Sequence, residues 1–246
     1  EQEMPDRIEN YKVLSPAFHE DVEMPNQQFA IKIFYYEREV PGGVFPLHWH
    51  EQIEFIYLQS GRMHITCNNR PFTARAGDLV VINNNEYHCC DMAEVPLSLY
   101  CVIVDLSILN SRFHDACEEK YIMPFSQNYI KFKNLIADDP EVTGNILKII
   151  EENRYREAGY ELAIKASLYS LFASLFRRHI AQILTQREHE LLNKNLCRIN
   201  TVIEHIEKNY MEELNVGKIA DMLGINKFYF CRLFREYTGK TLTEYI

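Results

Sequence analysis

The sequence predicts an α+β protein: a β-rich N-terminal barrel or sandwich, then a helical hairpin, then an all-helical region ending in a helix-turn-helix. Three observations carry that expectation. Between Phe29 and Asp105, short β-branched and aromatic runs alternate with turn signals. After Asp105 the apolar spacing lengthens to that of helices, and from Leu191 onward the pattern is wholly helical. The implied division is 1–105, 106–185 and 186–246.

In the first region, FAIKIFYY, EFIYLQ, MHITCN, DLVVIN and LSLYCVIVDL read as strands. Pro41-Gly42-Gly43, Ser60-Gly61, Asn68-Asn69, Ala76-Gly77 and Asn83-Asn84-Asn85 read as the turns between them. In the second region, Asp139-Pro140-Glu141 starts a helix, with Asp as N-cap, Pro in the first turn and a carboxylate facing the positive end of the dipole. Val142, Ile146, Ile149 and Ile150 form its apolar stripe, and Gly159 is placed to close it. A second helix is expected from about Tyr160 to Leu184. It carries two stripes, Leu162, Tyr169, Phe172, Phe176 and Ile180, and beside them Ile164, Leu168, Leu171 and Leu175. Two stripes need two partners, so the hairpin is expected to pack on the barrel and to form a homodimer. The polar stretch Gln186–Glu190 reads as a helical linker.

Bulk properties narrow the function. Apolar residues make up 47% and charged residues 25% of the 246, which is ordinary for a folded domain. The formal net charge of −9 excludes a globally basic nucleic-acid binder. From Leu191 on, however, eight basic residues meet seven acidic ones, so the negative charge lies elsewhere in the chain. No run of 18 apolar residues exists, and no membrane span is expected. Seven cysteines, an odd count without C-x-x-C, argue against a disulfide framework or a thiolate zinc site. The opening EQEMPDRIEN lacks the apolar core of a signal peptide. A reducing cytoplasm is the expected compartment.

Within GGVFPLHWHEQIEFIYLQSG, His48, His50 and Glu54 share one parity, so an extended strand would turn them to one side. His88 lies on a later strand that a barrel could bring alongside. Three imidazoles and a carboxylate suit a first-row divalent ion. Gly42, His48-x-His50, Glu54 and Gly61, then Gly77 and His88, resemble the two motifs of the cupin superfamily. Asn83, Asn85 and Met92 depart from it, standing where Pro, Gly and Asn are usual. The resemblance implies either a site for Fe, Mn, Ni or Zn at His48, His50, Glu54 and His88, or a metal-free effector pocket lined by the same residues. Phe45 and Tyr57 are the expected aromatic walls, suited to a sugar or a small aromatic. A plainer reading makes the histidines satisfied core residues.

In the last region, Asn215 can N-cap a helix with Val216, Ile219, Ala220 and Leu223 inward; Gly224 supplies a positive φ, and Asn226 caps a second helix. Phe230, Leu233 and Phe234 point in, whereas Lys227, Phe228, Cys231, Arg232 and Arg235 occupy the outer face. That geometry sets a recognition helix in a major groove, with Arg232 on a guanine or a phosphate, Lys227 on a phosphate and Phe228 on a thymine methyl. Thr238-Gly-Lys-Thr241 is not a phosphate loop, because the required earlier glycine falls at Phe234.

Ile219-Ala220, Leu223-Gly224, Phe230, Arg232, Phe234, Gly239 and Tyr245 resemble the first helix-turn-helix of AraC/XylS-type transcription regulators, with Asn226 where Ser is usual. The order of regions also resembles that family. The resemblance implies a one-component regulator without catalytic residues, whose partners are double-stranded DNA, a small-molecule effector (a sugar is one candidate), a second copy and RNA polymerase. The family has a second helix-turn-helix. Thr241–Ile246 resembles only the start of the joining helix, so the sequence reads as truncated, with weak operator binding expected of these 246 residues alone. The alternatives are a metal-dependent cupin oxygenase or isomerase with a helical extension, and a dimerising interaction module that has lost its ligand.

Overall fold

Two long strands organise the β region. In the computed structural model, which describes residues 18–110, 115–209 and 214–246, β3 (Ile53–Cys67) pairs antiparallel with β6 (His88–Val104) from one end to the other. The opening segment, where the signal-peptide question falls, lies outside the described residues. One half of this ribbon takes β1 (Ile31–Arg38) beside β6 and β5 (Leu79–Ile82) beside β3, with β8 (Leu135–Ile136) beyond. The other half takes β2 (Phe45–His48) beside β6 and β4 (Arg70–Arg75) beside β3.

The ribbon folds over on itself, and alternation decides which side chains it encloses. Phe34, Phe45, Ile56, Leu58, Met63, Ile65, Leu97 and Leu99 fill the interior. Phe55, Val81, Val102 and Val104 face the opposite way, into a second core shared with the helices. Tyr57 also packs on that outer core. It therefore is not a wall of the barrel interior: it lies an odd number of residues from Glu54, and parity sends it to the helical side.

The fold corrects one expected turn. Ser60-Gly61 lies inside β3, where the register with β6 shifts. Gly61 has φ +84°, and a Cβ there would sit 2.7 Å from the Glu94 carbonyl oxygen and 2.9 Å from that of Pro96. Glycine permits a bulge and a close approach of β6, which bends the strand without ending it. The Asn68-Asn69 turn joins β3 to β4, with φ of 44° and 59°, the conformation a two-residue hairpin favours.

Short helical turns, among them α1 (Met123–Ser126), and strand β7 (Ile130–Phe132) lead to α2 (Pro140–Tyr155). The Asp139 side chain accepts from the Val142 N–H, and Val142, Ile146, Ile149 and Ile150 are buried, as the cap and stripe predict. Arg156, with φ 46°, closes this helix. Gly159, with φ 87°, instead precedes the next one, α3 (Tyr160–Arg178). That helix is shorter than expected: from Ile180 to Ile183 the chain is strand β9, paired with β7. Ile164, Leu168, Leu171 and Leu175 are buried against the sheet's outer core. The second stripe divides. Phe172 and Phe176 pack edge-on or tilted against Phe125 and Phe132 in the same chain, whereas Leu162 and Tyr169 stay exposed.

The C-terminal region comprises α4 (Gln186–Asn209), α5 (Val216–Met222), α6 (Lys227–Thr238) and α7 (Leu242–Tyr245). Its core of Ile199, Val202, Ile203, Ile219, Phe230, Leu233 and Phe234 continues into the barrel through Tyr87, with Phe18, Leu47 and Trp49 packed around it. No helix among the described residues is long and apolar enough to cross a membrane.

The bend at Gly61 yields a stability prediction. Gly61→Ala should lower unfolding free energy by about 1–3 kcal/mol, from the left-handed backbone together with the carbonyl clashes. Urea unfolding would check this, and an unchanged midpoint would show that the bend does not need glycine.

Candidate functional site

Two sites emerge, one at the end of the barrel and one on α6. At the barrel end the chain leaves β2 at His48, passes Trp49 and His50, bends at Glu51-Gln52 and enters β3 with Glu54. The convergence of His48, His50 and Glu54 therefore comes from a bend between two strands, not from one strand's alternation. His88, at the start of β6, pairs across from His48. All four side chains are buried, and one ligand atom from each lies within 4.8 Å of the others.

Backbone carbonyls orient the rings. Nδ1 of His48 lies 2.8 Å from the Pro46 oxygen, Nδ1 of His50 3.1 Å from that of Gln52, and Nδ1 of His88 2.8 Å from that of Glu86. A carbonyl only accepts, so each Nδ1 carries a proton, and Nε2 is the atom that each ring turns into the site. Those nitrogens meet carboxylates. His50 Nε2 is 3.1 Å and His88 Nε2 3.3 Å from Glu54 Oε2, and the His88 nitrogen has no hydrogen-bond partner. The Cys101 thiol donates to Glu54 Oε1 at 2.8 Å.

Electrostatics favours a cation at this point. Burial, with the neighbouring His88, pushes the His48 pKa down to about 3, so it is a neutral base near neutral pH. For Glu54 burial acts upward, but the neighbouring His50 and His88 outweigh it and hold the carboxyl well below its usual range, while Glu54 in turn raises the His50 pKa against the effect of burial. Lone pairs gathered about a buried carboxylate repel one another unless a proton or a metal ion lies between them. The carbonyl-held Nδ1 atoms and the orphaned Nε2 of His88 match the outer-shell arrangement of metal-binding imidazoles. The set thus fits a divalent ion, and His48, His50, Glu54 and His88 are the residues that would hold it.

A fifth group was not legible in the sequence. Glu20 Oε2 lies 3.2 Å from His48 Nε2. No periodicity or spacing marks it, because it arrives from outside the strand pattern. Cys101 is a further residue that the motif does not mark: it sits at an inward position of β6, which strand parity indicates.

The void bounded by Phe34, Tyr36, Val44, Phe45, Glu54, Ile56, Leu99 and Cys101 measures about 10 Å³, room for roughly one water. The Phe45 ring lies 5.7 Å from those of both His48 and His88. An effector pocket among these residues, expected from the sequence, has no room for a sugar. Ligand-sized space lies outside the barrel, in a cleft of about 610 Å³ between the β3–β4 turn, β7–β9, α4 and the end of α6. There Lys131 donates to the Asn84 carbonyl at 2.9 Å and to Asn128 Oδ1 at 2.7 Å, and burial pushes its pKa down to about 8.

The departures from the barrel motif have structural uses. Asn83 accepts from the Phe132 N–H at 2.7 Å and donates to its carbonyl at 3.1 Å, tying β7 to the barrel. Asn85 adopts φ 56°, the left-handed conformation that glycine otherwise supplies.

On α6 the Asn226 side chain accepts from the Tyr229 N–H at 2.8 Å, and Gly224 has φ 63°. Lys227, Phe228, Cys231, Arg232 and Arg235 are all exposed, Phe228 at 88%. Phe230, Leu233 and Phe234 are buried beneath them. The Arg232 guanidinium lies 5.3 Å from the Tyr229 ring centre, and the Tyr229 hydroxyl donates to Asn195 Oδ1 at 3.0 Å. Cys117 and Cys197 are exposed along with Cys231, and all seven cysteines are free thiols.

Barrel and helix-turn-helix meet through neighbours of the histidines. The Tyr87 hydroxyl donates to Asn200 Oδ1 at 2.8 Å, and its ring lies 6.0 Å from that of Tyr237. Trp49, between His48 and His50, lies 6.2 Å from Tyr87, and Phe18 meets Tyr245 at 5.6 Å.

Comparison with known proteins finds two families along the chain. Residues 35–103 match the cupin domain family, and residues 206–246 match the bacterial regulatory helix-turn-helix proteins of the AraC family. The chain is 24% identical to the HTH-type transcriptional regulator YdeC of Bacillus subtilis, over 93% of this chain and 76% of that protein. It is 20% identical to the HTH-type transcriptional activator RhaS of Escherichia coli O81, over 85% of this chain and 72% of that protein. Among solved structures, ToxT from Vibrio cholerae O395 aligns with a TM-score of 0.42 and 10% identity, covering 87% of this chain and 97% of that one.

Proposed function

We propose that this chain, which joins a cupin domain to an AraC-type helix-turn-helix, is an effector-responsive transcription regulator that reads DNA with the outer face of α6. The observation that carries the reading is the division of that helix, with aromatic and aliphatic residues buried and Lys227, Phe228, Cys231, Arg232 and Arg235 exposed together. Arg232, set against Tyr229, makes the base or phosphate contact; Lys227, at the helix start, takes a phosphate; Phe228 meets a thymine methyl. RNA polymerase is the further macromolecular partner of such a regulator, and the cytoplasm is its compartment.

Catalysis is not part of this reading. Phe45 and Glu54 border a void with space for about one water, too small to hold a substrate. When bound, a divalent ion supplies positive charge that neutralises Glu54 and holds the three imidazoles in place. This chain's residues orient the rings, exclude water and link the ion's surroundings through Trp49 and Tyr87 to the helix-turn-helix. Turnover of a substrate by the metal-loaded protein would overturn this part.

The effector belongs in the cleft beside Lys131, which lies in the size range of small-molecule sites. Lys131 and Arg70 are balanced by Glu86 and Glu236, and amides of Asn69, Asn85 and Gln182 line the walls. Balanced charge and many amides favour a neutral polyhydroxylated ligand such as a sugar. Because α4 and α6 form one wall, occupancy bears on how the helix-turn-helix sits on the barrel.

The second copy covers α3. Leu162 is 76% and Tyr169 42% exposed, with Ala166 between them on the same outward stripe. This surface is smaller than the two full stripes read from the sequence, since Phe172 and Phe176 are satisfied within the chain.

Three outcomes are expected. On duplexes selected from a random library, Arg232→Ala should weaken binding roughly 5- to 150-fold, and Lys227→Ala should reduce the salt-dependence slope by about 1; unchanged binding by both variants would remove α6 from the interface. Sedimentation should show a dimer that Leu162→Glu converts to monomer, and a monomeric parent at micromolar concentration would contradict the α3 interface. A panel of monosaccharides should contain one that raises the parent's melting temperature but not that of Gln182→Trp, which fills the cleft; an equal rise in both would place the ligand elsewhere.

A further inference from the structure

We propose that Glu20 is a fifth ligand of the divalent ion held by His48, His50, Glu54 and His88, so that the ion staples the segment before β1 across the barrel end. The inference rests on the reading of those four residues as a metal site and adds a residue outside the motif that suggested it. Glu20 Oε2 lies 3.2 Å from His48 Nε2, beside the 3.1 Å and 3.3 Å that separate Glu54 Oε2 from His50 and His88. Metal–ligand bonds of about 2.1 Å put neighbouring ligand atoms about 3.0–3.4 Å apart, so the Glu20–His48 contact has the length of one such edge, beside the four ligand atoms that lie within 4.8 Å of one another.

The backbone delivers Glu20 to that position. Its N–H donates to the Trp49 carbonyl at 2.9 Å, and the Trp49 N–H donates to the Phe18 carbonyl at 2.9 Å. These bonds hold residues 18–20 alongside Trp49, the residue between two of the histidines. The His19 ring packs on Trp49 at 4.6 Å and contacts Glu51 at 2.9 Å, while Val22 is buried in the barrel core. The segment is thus anchored on both sides of Glu20.

Charge balance gives the reason for a second carboxylate. A divalent ion bound by three neutral imidazoles and Glu54 alone leaves one uncompensated positive charge in a site whose four ligands are at most 3% exposed. A buried unpaired charge is costly, and a second carboxylate cancels it. Glu20 is the acidic group in contact with a histidine of the set besides Glu54, among the described residues.

The test uses zinc and an internal reporter. Trp49 is the only tryptophan in the chain, so its fluorescence should respond when zinc is added to chelator-treated protein. Zinc affinity would then be measured for the parent, Glu20→Gln and Glu54→Gln. Removing a ligand carboxylate while keeping its shape should weaken zinc binding by about tenfold or more, in both variants. If Glu20 only bonds His48 in metal-free protein, Glu20→Gln will bind zinc as tightly as the parent or more tightly. That result overturns the proposal and leaves the four-residue site standing. Failure of the parent to bind zinc, manganese or iron overturns both. A readout that needs no variant is amide exchange: zinc should slow exchange at Glu20 in the parent, and unchanged exchange there would contradict the staple.

Discussion

The pairing of β3 with β6 is the constraint on which the other features depend. Their common register, from Ile53 opposite Val104 to Cys67 opposite His88, fixes which side chains enter the barrel and which face the helices. It sets Glu54 and Cys101 on the inward side, places His88 at the strand's beginning next to His48, and gives α2 and α3 an apolar sheet face to cover. A one-residue slip would reverse every one of these assignments. The bulge at Gly61 shifts that register and bends the strands, so that they serve two halves of the sheet.

From this frame the histidine set acquires its character. Short local hydrogen bonds to carbonyls two residues away fix each ring, so the site is preorganised by strand ends and needs no distant support. The residues between the histidines look the other way. Trp49 and Tyr87 carry the contact with α4, α6 and the segment around Phe18. Alternation along the chain therefore joins a buried polar centre to a surface on which the helix-turn-helix rests, and a change in one is felt by the other through rigid backbone over a few residues.

Much of this was legible in the sequence, for identifiable reasons. Asp139, Asn215 and Asn226 cap helices through side-chain chemistry that acts over three residues, and such local effects survive without tertiary context. The two faces of α6 follow from helical spacing alone. Ser60-Gly61 was misread because a glycine that permits a turn also permits a bulge, and only the partner strand decides between them. The end of α3 was misplaced because Ile180 continues a helical stripe by spacing, while β7 offers a strand partner that no local pattern announces. Tyr57 was assigned to the barrel by residue type against its parity. Glu20 and the large cleft depend on contacts between distant segments, and sequence spacing holds no record of them.

The claim that matters most is that the exposed face of α6 lies against DNA bases, and the chain carries its own probe of it. Cys231 sits in the middle of that face, whereas the exposed Cys117 and Cys197 belong to other elements. Disulfide trapping with a duplex bearing a thiol tethered in the major groove compares the three within one molecule. With α6 in the major groove, the tethered base captures Cys231 in preference to Cys117 and Cys197. Capture of Cys117 or Cys197 with Cys231 left free would contradict it.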